Sequence, residues 1–120
     1  ASAIIAAFAR REHDCLIKER EYYLFDLGMA VGSLLLRAAE LGLVAHPIAG
    51  FDPERTKQAL GIPDDCMLIT LIIVGKKVEN LEGLTPWQVE SEAKRPDRLA
   101  LENIFSIDHF DERMNVKAGK

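Results

Sequence analysis

The sequence predicts a single domain over residues 1–120 that is built from both helices and strands. Three apolar stretches lead to this prediction: Tyr22 to Leu43, Met67 to Val74 and Ala3 to Ala9. The first is long enough for a helix of several turns, whereas the other two have the length and the β-branched residues of buried strands. A chain of 120 residues can form one hydrophobic core but not two.

Composition and charge narrow the class of protein. Hydrophobic residues make up 48% of the chain and charged residues 28%, which is ordinary for a soluble globular protein. The formal net charge is −4, so no basic excess favours nucleic acid as a partner. Cys15 and Cys66 lie far apart without metal-site spacing, so we expect reduced thiols in a cytosolic protein. No signal peptide is recognised, because Ala3–Ala9 is short and no basic segment precedes it.

The first predicted strand, Ala3–Ala9, is followed by the charged stretch Arg10–Glu21, which we interpret as a solvated connection. Within it, the adjacent residues His13, Asp14 and Cys15 are types that can bind a metal. Neighbouring residues in a polar loop seldom converge on one ion, and a zinc site needs more ligands. We therefore predict no metal site.

The stretch Tyr22–Leu43 is predicted to form the central helix. Its polar residues are spaced so that they share one narrow stripe of a helix: Asp26, Ser33, Arg37 and Glu40. The rest of the helix surface is apolar and must be covered by protein, which is typical of a helix at the centre of a fold or in a subunit interface. A membrane span is disfavoured, because each charged side chain at bilayer depth costs about 2.5 to 3.5 kcal/mol.

Two glycines, Gly28 and Gly32, lie one turn apart on the same face of this helix. Glycine inside a helix costs roughly 1 kcal/mol relative to alanine. One interpretation is that a partner helix, another backbone or a flat ligand approaches closely at this face. The other is tight packing within the chain.

The helix is predicted to end at Gly42, and the stretch Val44–Asp52 is predicted to be a loop. Pro47 lacks an N–H donor and favours an extended conformation at His46, while Gly50 permits close approach of another group. A loop of this kind can present backbone amides to a ligand. His46 is a possible proton donor, but a polar group hydrogen-bonded to backbone is the more common role for such a residue.

A short helix and a strand follow. Asp52 is predicted to cap the helix, with Pro53 at its first position and Gly61 just past its end. The run Met67–Val74 is almost uninterrupted apolar and is predicted to be a strand buried on both faces, closed by Gly75.

The last third of the chain is more polar. Thr85, Pro86 and Gln88 form a helix-start signature, which predicts a helix that runs to about Ala93. The segment Lys94–Arg98 that follows is basic and surrounds a proline.

No catalytic motif is recognised: the sequence has no GxSxG, P-loop, GxGxxG or HExxH. Two features could bind a ligand. One is the segment of Pro47, Ile48, Ala49 and Gly50 with its backbone donors, and the other is the basic cluster of Lys94, Arg95 and Arg98. Because arginine offers donors suited to phosphate, the two features together suggest a phosphorylated, partly apolar ligand. The alternative is a solvated basic turn and a loop that binds nothing.

The run from Tyr22 to Lys77 resembles the second half of the flavin-dependent nitroreductase family. That family shows a D-x-G-x-A helix with a leucine run, then A-x-x-L-G-L, a P-I-x-G-F loop, an L-G-(I/L)-P segment and an apolar strand ending in glycine. The matching residues occur here in the same order: Asp26, Gly28 and Ala30, then Ala38 to Leu43, Pro47 to Phe51, Leu60 to Pro63, and Met67 to Gly75.

The resemblance implies an α+β nitroreductase-like fold with a central mixed β-sheet flanked by helices and a long buried helix at the dimer interface. It also implies an FMN cofactor and a homodimer with flavin sites between subunits. The segment Pro47–Gly50 would lie along the isoalloxazine ring, with the amides of Ala49 and Gly50 near flavin N5 and O4. Such amides stabilise the reduced, electron-rich flavin. Several members carry glutamate at the position of Ala49, and any role of that carboxylate is lost here.

The basic segment is also similar to one in the family. Arg98 would take the family's arginine position, with Arg95 or Lys94 as the second cation, whereas Ala100 replaces the usual proline. We therefore take Lys94, Arg95 and Arg98 as candidate cofactor-binding residues.

The front of the chain departs from the family pattern. Members begin with an arginine-rich segment that grips the FMN phosphate, followed by helices, before a strand like Ala3–Ala9. Here Arg10 and Arg11 follow the strand, so they are not that segment. The chain could be a fragment of a longer protein, could work with another polypeptide, or could be a degenerate remnant. We favour the fragment, because the apolar helix needs more cover than 120 residues provide.

The leading functional hypothesis is an FMN-dependent oxidoreductase. Hydride would pass from NAD(P)H to flavin N5, and electrons would then pass to a nitroaromatic, quinone or related acceptor, without a catalytic acid or base from the protein. The alternative is a non-catalytic flavin-binding or dimerisation fragment that needs a second polypeptide. A third hypothesis is an α+β domain whose loop binds nothing.

Overall fold

The structure is a computed structural model that describes residues 2–78, 80–94 and 97–114. The chain divides into two compact units, residues 1–79 and 80–120, and each is described by itself. The single domain expected over residues 1–120 therefore stays a prediction. Among the described residues, no helix combines the length and the hydrophobicity that a membrane span requires.

The described part of the first unit, residues 2–78, contains five strands, two α-helices and a short 3₁₀ turn at Arg11–His13. In chain order the strands and α-helices are β1 (Ala3–Ala9), β2 (Leu16–Ile17), β3 (Arg20–Glu21), α1 (Tyr22–Glu40), β4 (Val44–Ile48), α2 (Pro53–Leu60) and β5 (Met67–Gly75). The predictions of β1, α1, α2 and β5 are confirmed. The β2–β3 hairpin lies in the stretch expected to be a solvated connection. Its turn includes Lys18 at a φ of 58°. Lysine rarely adopts a positive φ, so the sequence gives no indication of this turn.

The main sheet has the strand order β1–β5–β4, and both of its pairings are antiparallel. The central sheet flanked by helices is confirmed, but the mixed pairing expected for it is wrong for the described strands. Strands β1 and β4 run parallel and are connected through α1, as in a β–α–β unit. Because β5 inserts between them, each hydrogen-bonded pair is antiparallel.

A bulge in β5 collects apolar side chains on one face of the sheet. Residues paired across antiparallel strands share a face. Ala6 pairs with Leu71 and Phe8 pairs with Leu68, so Ile69 is the extra residue of the bulge. This face carries a hydrophobic cluster of Ile62, Cys66 and Leu68, with Ala6, Phe51 and Leu71 packed around it.

The opposite face of the sheet is centred on Ile72, which is only 1% exposed. Ile72 pairs with Ile5 on one side and with Pro47 on the other. Helix α1 contacts both β1 and β4, and we infer that it covers this face, because the cluster of Ile62, Cys66 and Leu68 lies on the other one. Since Leu68 and Ile72 are buried on opposite faces, the predicted burial of β5 on both sides is confirmed at these two positions.

Helix α1 ends as the sequence predicts. Gly42 has a φ of 67°, and its amide donates to the carbonyl of Ala39 at 3.0 Å. The Leu43 amide donates to the carbonyl of Ala38 at 2.9 Å. These two bonds form a Schellman motif, in which glycine takes the left-handed position without steric cost.

Within this chain most of α1 is not buried, so the chain itself does not provide the cover expected for this helix, and burial of α1 in a dimer interface stays a prediction. Only Tyr23 and Ala38 of the helix are buried. Large apolar side chains on the rest of its surface are exposed: Leu24, Phe25, Met29 and Leu36. The physical reason is that within the first unit the helix packs mainly on β1 and β4, which cover one of its sides.

Helix α2 has the predicted caps. The Asp52 carboxylate accepts a hydrogen bond from the Arg55 amide at 3.0 Å, and Gly61 adopts the left-handed conformation at the other end. Lys57 on this helix is a charged residue that is nevertheless buried, with only 7% of its surface exposed. Its Nζ donates to the carbonyl of Asp64 at 3.0 Å, which ties α2 to the turn before β5.

Replacing Asp52 with alanine is expected to lower the free energy of unfolding by about 1 kcal/mol, because α2 loses its N-cap acceptor. Asp52→Asn is the matched control, since asparagine keeps an acceptor oxygen and should unfold close to the native chain. Urea denaturation measures both variants. An equal loss of stability in both would contradict the cap and point to the negative charge instead.

The second unit contains α3 (Pro86–Ala93), which begins with the predicted capping box between Thr85 and Gln88. Two short 3₁₀ turns follow, Leu101–Asn103 and Glu112–Met114. The Asn103 side-chain amide donates to the carbonyl of Arg113 at 2.8 Å and so links the two turns.

Candidate functional site

The segment expected to be a ligand-binding loop begins as a strand. Val44–Ile48 forms β4, whereas a loop was predicted from Val44 to Asp52. The proline that argued against a strand is tolerated because β4 lies at the edge of the described sheet. Of the four predicted cofactor-binding residues, Pro47 and Ile48 therefore lie in the strand, and Ala49 and Gly50 follow it directly.

The pairing of β4 determines the direction of its last amide. Pro47 has no N–H, so its pair with Ile72 must be of the non-hydrogen-bonded kind. The neighbouring pair, Ile48 with Leu71, is then the hydrogen-bonded kind, and the Ile48 carbonyl faces β5. Carbonyl and N–H of a trans peptide point in opposite directions. The Ala49 N–H therefore points away from β5, toward the open edge of the sheet.

Ala49 and Gly50 are both exposed. The Ala49 carbonyl accepts a hydrogen bond from the Phe51 amide at 3.0 Å, which closes a tight turn. Within the described residues, neither the Ala49 amide nor the Gly50 amide donates a hydrogen bond. A Cβ built at Gly50 would meet no atom within 4 Å. Two adjacent donors beside open space fit a flat ligand with acceptor atoms along one edge, as a flavin ring has.

The predicted basic cluster lies in the second unit. Lys94 caps the C-terminus of α3, and its amide donates to the carbonyl of Glu90 at 2.9 Å. Lys94 and Arg98 are both exposed, and no ion pair joins either of them to another described residue. Arg95 lies outside the described residues. Because the two units are described separately, a site shared by these cations and the Ala49 segment stays a prediction.

The other candidate side chains do not converge on a site. His46 is exposed and makes no side-chain hydrogen bond within the described part of the chain, so the expected bond to backbone is wrong. No group of three or more metal-binding side chains is found among residues 2–78, 80–94 and 97–114. Cys15 is exposed and Cys66 is buried, and both are free, as predicted.

A polar contact that the sequence did not reveal joins the end of β1 to the turn before β5. The Arg10 Nε lies 3.4 Å from the Cys66 Sγ and 3.1 Å from the Asp65 carboxylate. Both partners raise the pKa of Arg10, the hydrogen bond to Cys66 more than the charge of Asp65. These residues are more than fifty positions apart, and no sequence signal connects them. The contact joins two segments on the cluster side of the sheet, and we give it a structural role.

In the second unit, Arg113 holds the Asp111 carboxylate with bonds as short as 2.6 Å. Its hydrogen bonds lower the pKa of Asp111 to about 2. Arg113 is exposed and Asp111 is half-buried, and the pair joins the residues at the start of the second 3₁₀ turn.

Comparison with known proteins agrees with these features. The family model of the nitroreductase family matches residues 1–76. An uncharacterized 15.4 kDa protein of Mycolicibacterium smegmatis is 33% identical over 104 residues, which are 87% of this chain and 68% of that protein.

Two solved structures are similar in fold. A nitroreductase family protein from Clostridium novyi NT has a TM-score of 0.59 at 30% identity, over 63% of this chain and 42% of that one. A protein described as an oxidoreductase containing FMN has a TM-score of 0.71 at 22% identity, over 90% and 55% of the two chains. The chain thus spans about half the length of these solved proteins. With the family model matched over more than half of its residues, the chain belongs to the nitroreductase family.

Proposed function

We propose that this chain is the flavin-holding part of an FMN-dependent oxidoreductase. The observation that carries the proposal is the pair of exposed amides at Ala49 and Gly50, neither of which donates a hydrogen bond within the described residues, with the Ala49 N–H directed away from β5. Family membership and the similarity in fold to a protein that contains FMN support it.

The backbone of this segment would hold the ring. The amides of Ala49 and Gly50 would donate to the N5 and O4 region, and Pro47 and Ile48, which are half-buried, would line the same edge. Donors fixed before the ligand arrives stabilise negative charge without a cost of reorganisation. Bound FMN supplies the redox chemistry, in which hydride from NAD(P)H is accepted and electrons are passed to a nitroaromatic, quinone or related compound.

The exposed cations Lys94 and Arg98, together with Arg95, are proposed to bind the FMN phosphate. An arginine fork matches the phosphate oxygens in pairs, and a lysine adds a point charge. We propose no catalytic acid or base on this chain. The free thiols of Cys15 and Cys66 support a cytosolic location.

We further propose that the chain forms a homodimer through the uncovered side of α1. Two large apolar side chains on this side are exposed, Phe25 at 60% and Leu36 at 71%. Large apolar patches on a protein surface usually mark an interface. A Cβ built at Gly28 or Gly32 would meet no atom within 4 Å, so these glycines are not explained by packing within the chain. A second helix that approaches closely would explain them.

Replacing Gly28 or Gly32 with alanine is expected to have opposite effects on folding and on assembly. Each change should stabilise the isolated chain by up to about 1 kcal/mol, because alanine favours the helix. Each should weaken the dimer, because the added methyl groups keep the helices apart. Analytical ultracentrifugation and urea unfolding measure the two effects, and Ser33→Ala on the polar stripe is the control. Undiminished dimerisation in both glycine variants would contradict this interface.

A second candidate function is a non-catalytic flavin-binding or dimerisation fragment that requires a second polypeptide. The extent of exposed apolar surface favours it, since the second unit alone exposes a series of large side chains: Trp87, Leu99, Leu101, Ile104, Phe105, Ile107 and Phe110. Within the described residues, none of the elements of that unit contains a buried residue.

Anaerobic reduction of the FMN-loaded chain separates the two functions. Addition of NADH or NADPH should bleach the flavin absorbance, and a quinone or nitroaromatic should restore it, if the chain is an oxidoreductase. A chain that binds FMN but is bleached only after a second polypeptide is added would support the fragment instead.

A further inference from the structure

The hydroxyl of Thr70 contacts the peptide between Ile48 and Ala49, whose N–H is one of the two donors in the proposed function. Thr70 is the polar residue within the otherwise apolar run of β5, and it is half-buried. Its Oγ1 donates to the carbonyl of Ile48 at 2.8 Å, across the pairing of β5 with β4. A second acceptor, the carbonyl of Leu71, lies farther away at 3.2 Å.

The Ile48 carbonyl therefore receives two donors. One is the ladder bond from the Leu71 amide, which follows from the hydrogen-bonded kind of that pair. The other is the Thr70 hydroxyl. Two donors from different directions fix the plane of the peptide between Ile48 and Ala49. Because that peptide is planar and trans, they also fix the direction of the Ala49 N–H.

This peptide is the last one held by the strand ladder. Beyond Ile48, pairing with β5 stops, and the Ala49 amide has no acceptor among the described residues. If the ladder bond were its only hydrogen bond, the plane of this last peptide could rotate about that bond. The Thr70 hydroxyl adds the second point of attachment where the strand ends.

The geometry points to Thr70 as a positioning residue: through the Ile48 carbonyl, its hydroxyl aims the Ala49 N–H at the flavin ring. This inference rests on the proposed function. A donor whose direction is set in advance loses less conformational freedom when the ligand binds. It also meets developing negative charge without reorganising.

Thr70→Val removes the hydroxyl but keeps the shape and the strand preference of the side chain, and Thr70→Ser keeps the hydroxyl. Thr56→Val is the matched control, because the Thr56 hydroxyl donates to the Asp52 carbonyl at 2.7 Å, a bond of the same kind on α2. Thermal unfolding of all three variants establishes that they are folded.

The first readout is the amide order parameter of Ala49, measured by NMR without FMN. We expect a value near that of rigid backbone, roughly 0.85, in the native chain, Thr70→Ser and Thr56→Val. In Thr70→Val it should fall toward that of flexible backbone, about 0.6. An unchanged value in Thr70→Val would overturn the inference.

The second readout is the flavin itself. In Thr70→Val the dissociation constant for FMN should rise about two- to tenfold, the range expected for one neutral hydrogen bond. The midpoint potential of the bound flavin should become more negative, since the reduced form loses an oriented donor, and Thr70→Ser should restore both. A native potential in Thr70→Val would overturn the inference. If the native chain takes up no FMN, the proposed function fails, while the order parameters still decide the role of Thr70.

Discussion

Replacing Ile72 with alanine is expected to lower the free energy of unfolding by about 2 to 5 kcal/mol. Ile72 is 1% exposed and lies in the central strand, between Ile5 and Pro47 and beneath α1. Truncation leaves a cavity that the surrounding strands cannot fill, because both neighbours are held by the ladder. Domains of this size are stable by only about 5 to 15 kcal/mol, so the variant should unfold at much lower urea concentration.

Ile4→Ala is the matched control for this prediction. Ile4 is on the adjacent strand β1 and is 63% exposed, so the same truncation should cost far less. Urea unfolding followed by circular dichroism compares the two. Similar losses for both variants would contradict the assignment of Ile72 to the buried core.

Replacing Arg98 with alanine is expected to weaken FMN binding by roughly 10- to 150-fold. This range corresponds to the loss of about 1.5 to 3 kcal/mol for hydrogen bonds to a charged group. The expected reason is the loss of the guanidinium from the phosphate of FMN. Riboflavin has the same ring but no phosphate, so its affinity should not change. Fluorescence titration with both flavins measures the effect.

Arg55→Ala is the control for Arg98→Ala. Arg55 is an exposed arginine on α2, and its replacement removes the same charge from a position outside the predicted cofactor-binding residues. FMN affinity should fall in the first variant and not in the second. An equal and small decrease in both would mean that only net charge matters and that the phosphate assignment is wrong.

The elements that were predicted correctly are those determined by residues close to them in the sequence. Asp52 and Gly61 bracket α2, and Thr85 with Gln88 begins α3, because each cap depends on residues within one turn of the helix end. The end of α1 at Gly42 follows the same rule. The run of β5 was recognisable because a central strand must be apolar on both faces.

Strand β4 was not predicted, because whether it can be a strand depends on its position in the sheet and not on its own sequence. Pro47 argues against a strand in general, and only the position of β4 at the edge of the sheet makes it acceptable. The β2–β3 hairpin was missed for a related reason, since a turn centred on Lys18 lacks the glycine or asparagine that marks such turns.

The candidate site was predictable in part. The free amides at Ala49 and Gly50 lie in the segment that the sequence singled out. The hydroxyl of Thr70 could not be connected to this segment, because it is 22 residues away from Ile48 and meets it through strand register alone. The grouping of Lys94, Arg95 and Arg98 with that segment stays a prediction.

The most direct test of the central claim is a titration of the purified chain with FMN, followed by visible absorbance, with the mass in solution measured on the same sample. We expect a perturbed flavin spectrum that stays with the protein after free FMN is removed, in equimolar amount, on a species with twice the mass of the chain. A colourless protein after the same treatment would contradict the claim that this chain holds the cofactor.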